Sequence, residues 1–396
     1  MSSDNLQPLS GVRVLDFTQV MLGPSATQVL ADYGADVIKV ERPGAGDLSR
    51  TSVANDVDGL DNPVFRSLNR NKRSIVLDLR KPAAKELVYE LVRGVDIVAN
   101  NFRAGVIERM GFGYETLANI NPRVICAFGS GFGQTGPLAY KGGQDILAQA
   151  LSGVMRRKCN DDEPLTVYAT SLCDYTAGMH LVQAILLALL QREKTGRGQQ
   201  VAVSLFESML AMQMQEAAMY LQRDLDFSWG AYPLTGVFPT RDGALVLVGA
   251  FKSNPLCDIC AALGLPDLSA DPRYADFAGQ LTHKKTLQAM FRERFASETT
   301  AHWLARLDEQ DLLCAPVLTL PEALAHEQTR ANASVVGLHP DGGGPKAVGS
   351  PLTMAEGAFR VRRPPPQLGA DSEDVLREAG LSAERIAALK AEGIVA

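Results

Sequence analysis

Short β-branched runs alternate with helix-length segments through the first 130 residues, and this restricts the fold more than any other feature of the chain. Val12–Phe17 reads as a strand, Pro24–Tyr33 as a helix closed by Gly34, and Asp36–Glu41 as a second strand. The pattern continues with Ser74–Leu79, a helix over Pro82–Arg93, then Val95–Val98 and Val124–Phe128. Strands joined by helix-length connections lie parallel, and a parallel sheet must be covered on both faces. A doubly wound α/β domain is therefore expected. Asp174 opens a strongly apolar helix with Met179, Val182, Ile185, Leu186, Leu189 and Leu190, ended by Thr195-Gly-Arg-Gly198, and Gln200–Leu205 follows as a strand. From about residue 229 the texture changes: Gly236–Thr240 and Ala244–Gly249 flank an Asp-Gly turn, and helical patterns follow. A smaller α+β domain is expected there.

Composition narrows the function. With 39 basic and 45 acidic side chains the net charge is −6, which argues against a nucleic-acid surface, so an anion site must come from a local cluster. Met1–Gly11 carries no Lys or Arg and resembles no signal or transit peptide, which points to the cytoplasm. The most apolar run, Leu181–Leu190, is about ten residues long, short of the roughly 20 that span a bilayer. The six cysteines show no framework spacing; Cys257 and Cys260 form a CxxC inside a helical pattern without a partner pair or His, so a structural role is favoured over a metal or redox one. Asp56-Val-Asp58-Gly-Leu-Asp61 lacks calcium-loop spacing and reads as a solvated loop.

Two motifs have competing readings. Gly131-Phe-Gly133-Gln-Thr-Gly136 matches a dinucleotide fingerprint, but Pro137 follows and no helix opens on the glycines, so a tight substrate-facing turn is the better account. Six cations fall within the sixteen residues Arg66–Lys81: Arg66, Arg70, Lys72, Arg73, Arg80 and Lys81. Taken alone, such a run is more often a solvated face than a binding site. Asn69–Arg73 sits just before a strand, Arg42 at the end of another, and Asn101-Phe-Arg103 just after a third, so convergence on one sheet edge is expected, with Arg109 nearby. A small phosphorylated ligand would suit that edge. Asp174 reads either as a helix cap or as a nucleophile. No HxxxH pair or GxSxG elbow competes with it, and His180 lies about 240° round the helix from it.

Six ordered blocks carry a family resemblance: Leu9–Thr18, Gly34–Pro43, Asn71–Ser74, Asn101-Phe102, Arg109–Phe112, and Asp174 with Lys194–Gly198. With them the chain resembles the family III CoA-transferases, the group of formyl-CoA transferase and carnitine CoA-transferase. The resemblance implies an α/β architecture in which a Rossmann-like large domain with a parallel sheet joins a smaller α+β domain, in an interlocked homodimer. Residues 1–205 would form the large domain, 206–228 a linker helix, 229–325 the small domain, 326–360 a second linker, and 361–396 a return to the large domain. It implies coenzyme A or acyl-CoA as substrate, with no tightly bound cofactor and no metal. CoA would be held near Arg42, Lys72, Arg73, Asn101, Phe102, Arg109 and Lys141, and Asp174 would accept the acyl group. Two departures qualify the substrate. Met21 stands where formyl-CoA transferase has Gln, and Leu234–Pro239 lacks its polyglycine loop, so an oxalate–formate pair is not implied. Gln144 stands where the related α-methylacyl-CoA racemase has a catalytic His; an amide cannot exchange an α-proton, which leaves racemisation, like a silent CoA-binding role, as an alternative. Arg157, Lys158, Gln199 and Tyr232 are polar positions open either to a second carboxylate or to solvent, and a dicarboxylate is the favoured acid.

Overall fold

The structure is a computed structural model that describes residues 7–52, 62–160 and 163–396. The acidic run 56–61 and residues 1–6 of the N-terminal segment lie outside the described residues. The chain divides into two compact units, one of Met1–Val154, Val167–Met212 and Glu327–Ala396, the other of Met155–Thr166 and Gln213–His326.

The first unit is built in chain order from β1 (Arg13–Asp16), α1 (Leu22–Asp32), β2 (Asp36–Glu41), α2 (Pro63–Leu68), β3 (Lys72–Val76), α3 (Pro82–Val92) and β4 (Ile97–Asn100). It continues through α4 (Val106–Arg109), α5 (Tyr114–Ile120), β5 (Ile125–Ser130), α6 (Asp145–Leu151), α7 (Leu172–Thr195), β6 (Gln200–Ser204) and α8 (Leu205–Met212). All six strands pair in parallel in the order β3-β2-β1-β4-β5-β6. This is the doubly wound order of nucleotide-binding sheets. Strand side chains alternate between two cores. Val14, Val37, Ile97 and Ile125 pack with Ala26 and Leu30 of α1 and Ala177, Leu181 and Ile185 of α7. Leu15, Ile38, Ile75, Val98 and Cys126 face the opposite layer, with Leu87 and Leu91 of α3. Leu376 and Ile386, from two helices near the chain end, complete that second layer.

The second unit holds α9 (Met214–Arg223), the antiparallel strands β7 (Thr235–Pro239) and β8 (Ala244–Val248), α10 (Pro255–Leu263), α11 (Phe277–Thr282), α12 (Lys284–Phe295), α13 (Thr300–Glu309), β9 (Leu313–Pro316) and α14 (Leu320–Ala325). Its core gathers Phe238, Leu247, Leu256, Phe291, Phe295 and Trp303. Cys260 is buried in this core, and both cysteines of the CxxC are free and lie within α10. The short segment 155–166 was expected in the large domain. It joins the second unit because Arg157 pairs with Asp226 at 2.5 Å and Lys284 donates to the Cys159 carbonyl at 2.5 Å. The chain returns to the first unit through α15 (Glu327–Ala331), the hairpin of β10 (Val335–Gly337) and β11 (Lys346–Val348), then α16 (Ser372–Glu378) and α17 (Ala383–Ala391). Residues 327–360 thus belong to the first unit, where only a linker was expected.

By length and composition α7 is apolar enough to cross a membrane, longer than its ten-residue apolar run suggests. Its buried side, Cys173, Ala177, Leu181, Ile185 and Ala188, instead packs in the core described above.

Candidate active site

In this strand order the chain winds in opposite directions on either side of the β1–β4 boundary, so the connections leaving those two strands part and open a crevice beyond their carboxyl ends. Gln19–Met21 follow β1, Asn101–Arg103 follow β4, and both segments line a cavity of about 300 Å³. Gly129–Gly131 from β5, Gly142–Gln144 before α6, and Asp174 on α7 complete its wall. Among the described residues lining it, Asp174 is the one carboxylate and Arg103 the one cation.

The loop after β1 is held from below by buried charge. Asn101 clamps Gln19, accepting from its N–H at 2.8 Å and donating to its carbonyl at 2.7 Å. Val20 adopts φ 65°, a left-handed conformation that a β-branched residue resists. Asp47 accepts from the Val20 N–H at 3.1 Å and pairs with the fully buried Lys39 at 2.7 Å, while Lys39 also donates to the Thr18 carbonyl at 2.7 Å. Burial opposes ionisation of Asp47, yet Lys39 and the backbone amides outweigh it and hold the carboxyl at about 2. The strained turn is therefore fixed by a charge that stays ionised. A lysine in the middle of an apolar strand was the sequence signal for this arrangement.

Glycine makes the opposite wall. A Cβ on Gly131 would sit 2.4 Å from the Gly143 Cα, and one on Gly129 would sit 2.4 Å from the Leu22 Cδ2, so only glycine lets these wall segments pack as closely as they do. The glycine run follows β5 and opens no helix, and its first glycine, Gly131, lines the cavity.

Asp174 lies in the first turn of α7 but is not its cap. Ser171 at the cap position makes no side-chain bond; Asp145 from α6 accepts from the amides of Cys173 at 2.7 Å and Asp174 at 3.0 Å. Burial, and after it the charge of Asp145, push the Asp174 carboxyl from 3.8 up to about 6. A carboxylate with weakened solvation, facing a cavity, is suited to attack a carbonyl carbon.

The family model for CoA-transferase family III matches residues 9–372. The chain belongs to that family. This transferase is 34% identical to the succinyl-CoA:glutarate CoA-transferase of Mus musculus, over 95% of this chain and 87% of the relative. It is 36% identical to the acetyl-CoA:oxalate CoA-transferase of Acetobacter aceti, over 88% of this chain and 89% of the relative. A solved CaiB/BaiF family protein from Brucella suis superposes with a TM-score of 0.85 at 28% identity, covering 95% of this chain and all of that one.

The expected CoA-binding residues of the transferase divide into three groups. Asn101 and Phe102 line the Asp174 cavity. Arg42 follows β2, Arg109 ends α4, and Lys141 precedes α6; all three are exposed. Lys72 and Arg73 correct the expectation. They open β3, and in a parallel sheet the residues that open a strand lie at the end opposite to those that follow one, so convergence with Arg42 and Asn101 fails. The Lys72 ammonium is fully buried, bonded to Asp16 at 3.2 Å, Thr27 at 2.8 Å, Asn69 at 3.0 Å and the Pro24 carbonyl at 3.2 Å. Arg73 is held by Asp36 at 2.6 Å and Glu378 at 2.9 Å. Of the basic run, Arg80 and Lys81 are the members that come after β3, past its carboxyl end. Arg70 is also occupied, in a buried pair with Asp32 at 2.6 Å. Arg103, expected at this edge, lines the cavity, whereas Asp145 and Gly143 were not singled out by the sequence and became visible only when separate segments met.

Proposed function

We propose that this enzyme moves CoA from an acyl-CoA thioester to a small carboxylic acid through Asp174. The observation that carries the reading is a single, poorly solvated carboxylate on the wall of a cavity at the sheet's switch point. An Asp174 oxygen attacks the thioester carbonyl carbon, the C–S bond breaks, and an acyl-aspartyl anhydride and CoA thiolate result. The thiolate attacks the Asp174 carbonyl, releasing the donor acid and leaving an aspartyl-CoA thioester. The acceptor carboxylate and the thiolate repeat the exchange in reverse, giving the new acyl-CoA and free Asp174. The backbone amides of Gly131 and Gly143, both on the cavity wall, are assigned to the developing oxyanion. Arg42, Arg109 and Lys141, with Asn101 and Phe102, are assigned to CoA; Lys72 and Arg73 are not. The mouse and Acetobacter relatives act on dicarboxylates by name, and a dicarboxylate is the proposed acceptor.

Gln144 lines the same cavity as Asp174. Exchange of an α-proton needs two groups that titrate, and this amide does not. In D₂O, with succinyl-CoA or acetyl-CoA and a panel of mono- and dicarboxylates, the expected result is CoA transfer; a 2-methylacyl-CoA should take up no deuterium. Rapid α-exchange without transfer to any acid would make the enzyme a racemase, and neither reaction would leave a CoA-binding protein.

An interlocked homodimer is proposed on the family resemblance. Exposed leucines of α7, Leu187 at 66% and Leu190 at 64%, support a covered apolar face. Light scattering at micromolar concentration should report a dimer, and a monomer there would remove the proposal.

A further inference from the structure

We propose that Asp145 is a positioning residue for the transfer: one of its oxygens caps the helix that carries Asp174, and its charge stands beside the acyl-accepting carboxylate. The proposal rests on Asp174 being that acceptor.

The first amides of a helix have no partner within it and need an acceptor from outside. Asp145 supplies one to two of them, at Cys173 and Asp174, from a different helix. Its own place is fixed through its second oxygen, which accepts from Gln149 Nε2 at 2.6 Å. Gln149 is fully buried and is tied in turn to Tyr168, donating to its carbonyl at 3.2 Å and accepting from its N–H at 3.1 Å. α6 and the segment leading into α7 are thereby joined on both sides of Asp145. Gln144, on the cavity wall, directly precedes this anchor.

Other charges around α7 are engaged or far along it. On α8, Glu207 accepts from Ser204 at 2.7 Å; on α1, Asp32 is paired with Arg70; β5 and β6 carry no charged residue. On α7 itself His180 bonds Ser208 at 2.9 Å, Arg192 pairs with Asp96, and Glu193 and Lys194 lie at the far end. Arg103 is the cation on the cavity wall, and α6 contributes Asp145 alone. When Asp174 becomes an anhydride or a thioester its charge disappears, and so does its repulsion with Asp145. A neighbour of the same sign thus favours the acylated states over the free carboxylate. It also raises the pH at which Asp174 ionises, in the same direction as burial does.

Asp145→Asn keeps an acceptor oxygen for the two amides while removing the charge and the bond from Gln149, whereas Asp145→Ala removes all three. With succinyl-CoA and glutarate, the acid-side midpoint of kcat/KM in Asp145→Asn should fall by about one pH unit, because Asp174 then ionises more easily. Asp145→Ala should lose roughly tenfold or more in kcat with little change in KM for succinyl-CoA, and Asn should restore most of that loss at pH 8. A purely structural cap would not move the pH profile. Melts by circular dichroism report folding, and if the Ala variant does not fold, the profile of the Asn variant decides alone. An acid midpoint unmoved in Asp145→Asn overturns the proposal, as does a folded Asp145→Ala with the wild-type kcat. An Asp174→Asn enzyme that retains full rate overturns the reading beneath it; an inert Asp174→Asn beside an unmoved Asp145→Asn profile overturns the role of Asp145 alone.

Discussion

Asp174→Ala and Asp174→Asn are expected to fold and to lose roughly a thousandfold or more in turnover, since the covalent route disappears with the carboxylate. Borohydride trapping during incubation with acyl-CoA, followed by mass spectrometry, should place the modification on this residue in the wild type and nowhere in the variants. Turnover near the wild-type rate in either variant removes the assignment. The same substitution should raise stability. A carboxyl that titrates near 6 when folded and near 3.8 otherwise holds its proton more tightly in the folded state, so stability falls as pH rises through that window. Above pH 6 the folded enzyme bears the whole penalty, at most about 3 kcal/mol from the size of the shift. Asn bears none of it, and the melting temperature of Asp174→Asn at pH 8 should exceed that of the wild type by a few degrees. A melting temperature well below wild type at that pH would show that the carboxylate is needed for folding.

The second large effect separates a structural cation from a ligand-binding one. Lys72→Met leaves Asp16 buried without its 3.2 Å partner. Burial already works against ionisation of Asp16, and it is Lys72 first, then Lys39, that keeps its pKa below the usual value. Removing one member of such a buried pair costs about 3–5 kcal/mol, which in a unit of this size lowers the melting temperature by roughly 10 °C. KM for acyl-CoA, measured well below that melting temperature, should stay within about twofold of wild type. A tenfold rise in KM with an unchanged melt would return Lys72 to the CoA site. The loss of stability should persist at high salt, because the pair is shielded from solvent ions.

The sheet was legible because its strands are short β-branched runs with their periodicity intact, and Asp174 stood out as an acid opening an apolar helix. The error over Lys72 and Arg73 has a simple origin. Nearness to a strand in sequence does not say which end of a parallel sheet a residue occupies, and the Asn69–Arg73 run precedes its strand where Arg42 and Asn101 follow theirs. The segment 155–166 was misplaced because its attachment to the second unit is made by single pairs, such as Arg157 with Asp226, that leave no periodic trace. Asp145 was hidden for a related reason: a helix capped from a different helix has nothing at its own cap position to announce it, and Ser171 offers a plausible but unused alternative.

The closing of the sheet's second layer by Val375, Leu376, Ile386 and Leu389 bears on how the protein is made. β1 to β5 leave the ribosome long before these residues exist. At 5–20 residues per second the interval between β5 and α17 is roughly 10–50 s. During that time Leu15, Ile38, Ile75 and Val98 lack their final cover, while the second unit, whose core is drawn entirely from residues 234–314, can already have condensed. The nascent chain therefore carries a finished later unit behind an unfinished earlier one, and its period of greatest exposure to aggregation ends only when the last two helices dock.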